Sequence, residues 1–475
     1  MESLDTFYIN GQWVVPAEGA TTMHIVNPAN EAVIGTLAMG SEVDVDRAVS
    51  AARAAFPAWS QSSREARIAI LARMVELYKA RFNEIAAAVS TEMGAPLWLC
   101  HELQAAVGLV QIQATLSALR DFSFETTRGS TLIVREPVGV VALITPWNWP
   151  LNQVAAKVAP ALAAGCTIVL KPSEITPLDA RIFAEIVHEA GVPAGVFNLI
   201  FGDGKTVGSA LARHPDIDMI SITGSTRAGI DVAMQAAPTV KRVTQELGGK
   251  SPNLILDDAD LQTAVSAGVI SCMMNSGQTC IAPTRMLVSR AQYEQAVAIA
   301  AATANALSVG DPQRPSSKLG PISNLAQYER VQHLIDTGIR EGARVVAGGP
   351  GRPGGLTQGF YARPTVFADV RNDMTIAREE IFGPVLVMIP YDSEEDGIAI
   401  ANDTPYGLAA YVWSGDLARA RRVAGRIRAG SVQINGARLD LTAPFGGCKA
   451  SGNGREFGAY GLAEFLEYKT LAGGA

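Results

Sequence analysis

The chain has 475 residues, 48% of them hydrophobic and 18% charged, with a formal net charge of −7 and a pI near 5.4. That length points to two or three domains, and the apolar fraction excludes a disordered chain. The acidic balance, without a long basic run, argues against nucleic acid and anionic membranes as partners. No apolar run approaches the roughly 18 residues of a membrane span. The opening MESLDTFYINGQW lacks the basic-then-apolar pattern of a signal peptide. Five scattered cysteines (Cys100, Cys166, Cys272, Cys280, Cys448) fit neither a disulfide framework nor a zinc site. A cytoplasmic protein without a metal is the expectation.

In chain order, an Ala-rich amphipathic pattern runs from Asp44 to Leu119, so the N-terminal part is expected to be mostly helical and to pack on a following sheet. Residues 122–137 (FSFETTRGSTLIVREP) are polar and β-rich, like a hairpin outside that sheet. From Val140 onward short β-rich runs alternate with helical ones. VGVVALIT, CTIVLKP, VFNLIFG and IDMISIT read as strands, separated by helices at KVAPALAAG, Leu178 to Ala190, VGSALARH and Ser225 to Ala236. Such alternation predicts an α/β fold with a parallel sheet covered on both faces. A second α/β run starts near Pro252 with PNLILD, a helix from Leu261 to about Met274, TRMLVSR, a helix from Ala291 to Leu307, and strands at ARVVAGG, PVLVMIPY and AAYVWSG. The stretch 348–359 reads as a surface loop, and the apolar tail LAEFLEYKTL is too short to fold alone.

Several loops at strand ends carry chemistry-bearing residues. In TGSTRAG, Gly224 and Gly229 straddle a strand-to-helix junction where Ser225 and the helix N-terminus suit a pyrophosphate. The spacing departs from GxGxxG, and the nearby Gly202/Gly204 pair lacks its third glycine, so the junction alone is weak. KPSE (171–174) lies on the ligand-binding edge of such sheets, where Lys171 and Glu174 could meet ribose hydroxyls. A plain surface charge pair fits it as well. In TPWNWP, the Asn148 amide could donate to an oxyanion, or it could simply hold an aromatic turn. ELGGKSP sets Glu246 before a Gly-Gly turn, and GQTC sets Cys280 in a polar loop before a proline. A thiolate and a carboxylate sharing one site would split an acyl transfer into two easier steps. Taken singly, such a glutamate is usually a solvated charge and such a cysteine a small buried hydrophobe.

Together with YINGQW, VNPAN, EEIFGPV (379–385) and PFGGCKASGNGRE (444–456), these motifs make the chain resemble the aldehyde dehydrogenase superfamily over essentially its whole length. The resemblance implies two doubly wound parallel-sheet domains: a Rossmann-like cofactor domain (1–121 and 139–248) and a catalytic domain (249–443). A β oligomerisation arm and C-terminal tail (122–138 and 444–475) would build a homotetramer or, alternatively, a dimer. It implies Cys280 as nucleophile, the Asn148 side chain and Cys280 N–H as oxyanion hole, and Glu246 as the base that hydrolyses a thioester. Lys157 and Glu456 would relay its proton. The cofactor would be NAD, with NADP the alternative, because a carboxylate at Glu174 repels a 2′-phosphate. Lys171 and Glu174 would hold the adenine ribose, Gly224, Ser225 and Gly229 the pyrophosphate, and Glu380 the nicotinamide ribose. Trp147 and Phe382 would line that end, Thr145 and Leu247 would also bind the cofactor, and Gly204 and Gly208 would lie near the adenine.

The implied substrate pocket comprises Trp149, Gln153, Ala156, Met274, Ile281, Leu439 and Phe445. Ala156 stands where several relatives carry a bulky aromatic, which suggests extra room. With no arginine among these residues, a medium-sized hydrophobic or aromatic aldehyde is expected. A semialdehyde from aromatic catabolism is compatible. The rival readings are a CoA-acylating enzyme, a reductive one and a catalytically silent binding protein. Intact Glu246, Cys280 and Asn148 oppose them.

Overall fold

The computed structural model describes residues 2–475. Five strands run parallel at the centre of an eight-stranded sheet: Arg242–Glu246, Met219–Thr223, Val140–Ile144, Thr167–Lys171 and Phe197–Leu199, in that spatial order. They are short, mostly rich in β-branched residues and, apart from the half-buried strand Arg242–Glu246, which Gly452–Asn453 flanks, buried along their length. Helices on both faces demand that of a parallel sheet. The chain starts at Val140–Ile144 and proceeds outward on both sides, so the order reverses beside that strand. The crevice at such a reversal, beyond the C-terminal strand ends, is the ligand edge of open α/β sheets.

The helices of the N-terminal part match the expected pattern: Glu42–Ser60, Arg64–Ala80, Phe82–Met93 and Ala105–Asp121. The forty residues before them are mostly strand, not helix. Phe7–Ile9 and Gln12–Val14 extend the large sheet in antiparallel fashion, and Glu2–Leu4, Val33–Met39 and Thr21–Val26 form a small sheet of their own. These strands are three to seven residues long, too short for their alternation to stand out against neighbouring turns.

A second, seven-stranded sheet follows, ordered Arg344–Ala347, Thr365–Ala368, Val385–Tyr391, Arg285–Ser289, Pro252–Ile255, Ala409–Trp413 and Ser431–Ile434. All of it is parallel except the first strand. The hairpin Glu125–Arg128/Thr131–Pro137 stands outside both sheets, as its polarity predicts. Its third strand is the tail, since Leu466–Ala472 pairs residue for residue with Pro137–Thr131 of the same chain. No helix among the described residues is long and apolar enough to cross a membrane.

Candidate active site

The site forms where the C-terminal edge of the first sheet meets the N-terminal edge of the second. Glu246 ends the strand Arg242–Glu246, and TPWNWP follows Val140–Ile144. Cys280 and Glu380 lie in the loops leading into Arg285–Ser289 and Val385–Tyr391. The two motifs meet at Gly249. A Cβ there would sit 2.7 Å from the Cys280 carbonyl oxygen, so only glycine lets the backbones approach this closely. A Cβ at the neighbouring Gly248 would come within 2.0 Å of Glu380 Oε2, so the Glu380 carboxylate would have to move aside. The Gly249 N–H donates to Glu380 Oε1 at 3.0 Å. Ser451 locks the same turn, its hydroxyl donating to the Gly248 carbonyl at 2.7 Å.

Cys280 is half-buried, whereas Cys100, Cys166 and Cys272 are fully buried. Desolvation, followed by the charges of Glu380 and Glu246, pushes its thiol well above the ordinary range. The Asn148 amide donates to the Gln278 carbonyl at 3.1 Å, two residues before the thiol, and its second amide hydrogen stays available. A polar net reached from distant sequence holds this arrangement. Gln104 donates to the Asn148 carbonyl (3.1 Å) and to Asn275 (3.2 Å), while Asn275 donates to the Asn148 carbonyl (2.9 Å). Trp149 donates its indole N–H to Thr279 at 3.0 Å. Asn275 and Ser276 both have φ of 55°, the left-handed turn that carries the chain from the helix Leu261–Met273 to the thiol. Sequence reasoning missed Gln104, Asn275 and Gln278. Gln104 lies on a helix, 171 residues from Asn275, and nothing local marks it.

Glu246 is 5% exposed, and neither carboxylate oxygen has a hydrogen-bond partner among the described residues. Burial first, then the Glu456 charge, raises its carboxyl well above the usual range, with Lys157 and Arg455 opposing. Beside it lies a void of about 10 Å³ whose lining includes Ala156, Ser221, Thr244, Glu246, Arg455, Glu456 and Glu464. That is room for roughly one water. The Lys157 ammonium donates to Glu456 in a short ion pair and to the Ser221 hydroxyl at 2.9 Å. Ser221, on the strand Met219–Thr223, is a further partner that sequence reasoning missed.

The remaining expected residues divide into groups. Lys171 pairs with Glu174 at 3.2 Å on the ligand edge. Ser225 caps the helix Thr226–Ala236 by accepting from the Ala228 N–H, which leaves its own hydrogen free. A Cβ at Gly224 would meet only the Ala228 Cβ, at 3.9 Å, while Gly229 packs on Leu247. Thr145 Oγ1 is buried without a hydrogen-bond partner among the described residues. Burial pushes the Glu380 carboxyl up to about 7. Trp147 and Phe382 meet edge to face, with centroids 5.5 Å apart. Gly204 and Gly208 bound one helical turn, and a Cβ at Gly204 would meet nothing within 4 Å. Of the pocket residues, Ala156 and Phe445 join Leu408 and Phe457 in one small buried cluster, with Cys280, Ile281 and Leu439 packed on it. Trp149 and Met274 pack instead on the core of the first sheet, and Gln153 is buried in the helix Pro150–Ala164.

Residues 13–471 match the profile of the "Aldehyde dehydrogenase family". The chain belongs to that family. This aldehyde dehydrogenase, an oxidoreductase acting on aldehydes, is 54% identical to a "3-succinoylsemialdehyde-pyridine dehydrogenase" from Pseudomonas sp, covering 100% of this chain and 99% of that protein. Among solved structures it resembles aldehyde dehydrogenase C of Pseudomonas syringae, crystallised as a cysteine-to-alanine mutant with NAD+ and octanal. That match has a TM-score of 0.98 and 55% identity, and covers 99% of this chain and 97% of the other. A Mycobacterium tuberculosis aldehyde dehydrogenase complexed with NAD+ matches with a TM-score of 0.96 and 43% identity, covering 99% and 98%.

Proposed function

We propose that this aldehyde dehydrogenase uses NAD to oxidise a medium-sized hydrophobic or aromatic aldehyde to its carboxylic acid, with water as the final acceptor. The observation that carries the reading is the Gly249–Cys280 approach, which seats the Glu246 turn against the thiol loop.

The cofactor's residues fit it. Thr145 Oγ1 is an orphaned buried hydroxyl on the ligand edge, and the helix N-terminus beyond Gly224 is uncrowded. Lys171 and Glu174 would hold the adenine ribose, Ser225 the pyrophosphate and Glu380 the nicotinamide ribose. Glu174 beside Lys171 favours NAD over NADP, since its carboxylate repels a 2′-phosphate. When bound there, NAD supplies the hydride acceptor.

The Glu246 charge opposes a thiolate at Cys280, so the thiolate forms as Glu246 takes up the thiol proton, and Glu246 passes that proton on toward Glu456 and Lys157 before it acts again. The thiolate adds to the aldehyde carbon, and the carbonyl oxygen takes charge against the spare Asn148 hydrogen and the Cys280 N–H. Loss of hydride from that carbon leaves a thioester. Glu246 then takes a proton from water, the hydroxide oxygen bonds to the acyl carbon, and the C–S bond breaks to return the thiolate. The proton leaves through the water-sized void toward Glu456 and Lys157. A CoA-acylating enzyme needs no such base, and Glu246 is what argues against it here.

The substrate class rests on the apolar cluster at the thiol and on relatives named for a pyridine-bearing semialdehyde and solved with octanal. A homo-oligomer joined through the hairpin and tail strands completes the reading. The test is a steady-state panel of about twenty aldehydes with NAD and NADP, with product identified as free acid. If succinic semialdehyde outran benzaldehyde-like substrates in kcat/KM, the substrate assignment would fail. A strict CoA requirement would defeat the hydrolytic mechanism.

A further inference from the structure

The expectation of extra room at Ala156 meets an unexpected side chain. Ala156 is 3% exposed, and the cluster it belongs to includes Phe457, which is 4% exposed. The Phe457 ring stacks on that of Phe445 with centroids 4.8 Å apart and planes 18° from parallel. The backbone at Phe457 has φ 76° and ψ 141°, a region that residues with a Cβ seldom enter. Its neighbours hold it there. Glu456 and Phe445 exchange two backbone hydrogen bonds, Phe445 N–H to Glu456 O at 3.0 Å and Glu456 N–H to Phe445 O at 2.7 Å. The Phe457 carbonyl accepts from the Gly461 N–H at 2.9 Å, and Gly458 fits under the Thr442 carbonyl, where a Cβ would lie 2.8 Å away. A strained backbone that presents a large ring beside the nucleophile is the kind of outlier that accompanies function.

We propose that Phe457 is a specificity-determining residue. Its ring shares a buried cluster with Ala156, whose other side borders the void beside Glu246, and, stacked on Phe445, it walls the aldehyde pocket. Phe457 and Ala156 are therefore a complementary pair, one large and one small, that sets how bulky an acyl tail can reach Cys280. This rests on the aldehyde-oxidising reading above and deepens it. The pocket is a walled slot for a flat or slender tail and is not enlarged at Ala156. Because Phe457 adjoins Glu456, its effect on tail size must be separated from any effect on proton release.

The experiment measures kcat/KM of the full-length enzyme for propanal, benzaldehyde and 2-naphthaldehyde, in wild type, Phe457→Ala, Ala156→Leu and the double variant. Phe457→Ala should raise the naphthaldehyde-to-benzaldehyde ratio by about tenfold or more, the scale on which a hydrophobic pocket discriminates by size. Ala156→Leu should lower that ratio, and the double variant should return it toward wild type, a non-additivity expected only of residues sharing one space. Phe457→Leu carries the same test with a smaller shift should the alanine variant not fold. Equal loss across all aldehydes would reduce Phe457 to a support for Glu456 and overturn the proposal, as would an unchanged ratio. In either case wild-type turnover of benzaldehyde would leave the aldehyde-oxidising reading standing. Wild type inactive on every aldehyde would overturn both.

Discussion

Glu246 and Asp179 present the same problem in two parts of the molecule. Each is a buried carboxyl, Glu246 without a hydrogen-bond partner among the described residues and Asp179 facing the Glu92 carboxyl, and in each burial is the first cause of a strongly raised pKa. Asp179 sits at the start of the helix Pro177–Glu189, where Glu92 accepts from the Leu178 and Asp179 N–H groups at 2.7 and 2.9 Å. Its surroundings are a second carboxyl and the sealed Tyr78 and Cys100. Glu246 borders a water-sized void that leads to a Lys157–Glu456 pair, and its turn touches the thiol loop. Desolvation alone thus makes a weak acid. A general base also needs a reacting group on one side and a proton exit on the other.

The largest test removes the reacting group. Cys280→Ala should cut turnover by about 10⁴-fold or more while leaving cofactor binding intact, as read by a fluorescence titration. Next, Glu246→Gln should lower steady-state kcat by roughly 10²–10⁴-fold yet keep a pre-steady-state burst of about one NADH per site. Asp179→Asn, the matching isostere, should leave kcat within about twofold. A comparable loss from Asp179→Asn would break the distinction. Lys157→Met should cost kcat about tenfold with the burst preserved, because it touches the proton exit and not the thiol.

The smallest effect is on stability, and there the two carboxyls should behave alike. A carboxyl whose folded pKa lies above its unfolded value binds more protons in the native state between the two values. Stability from each is therefore full below pH 4 or so, the unfolded range, and declines as pH rises toward the folded value. Thermal unfolding between pH 5 and 8 should show wild type losing Tm relative to both Glu246→Gln and Asp179→Asn, with the gap widest at pH 8. If only one variant flattens the curve, the two sites differ in burial as well as in exit.

The activity side of this contrast was legible in the sequence, the sealed side was not. Glu246 ends a strand just before a Gly-Gly turn and Cys280 lies in a short Gly-containing loop, and that composition advertises close backbone approach. Asp179 and Glu92 lie 87 residues apart on two ordinary helices, and no local pattern predicts their meeting. Ser221 and Gln104 escaped for the same reason, since each acts across a gap that only packing closes. The short strands before Glu42 were missed because so few residues carry no period.

From the sequence alone came the βαβ order, the two α/β runs, the hairpin, the family and the loops that hold the proposed nucleophile, base and cofactor residues. These are local matters: side-chain periodicity sets each element, and glycine and proline set each turn. The tertiary structure decided which polar residues lock the Asn148 and Cys280 loops, which groups surround Glu246, and which side chains cluster with Ala156. Those depend on contacts between segments hundreds of residues apart, where the relative placement of two sheets, and not any local preference, determines which side chains touch.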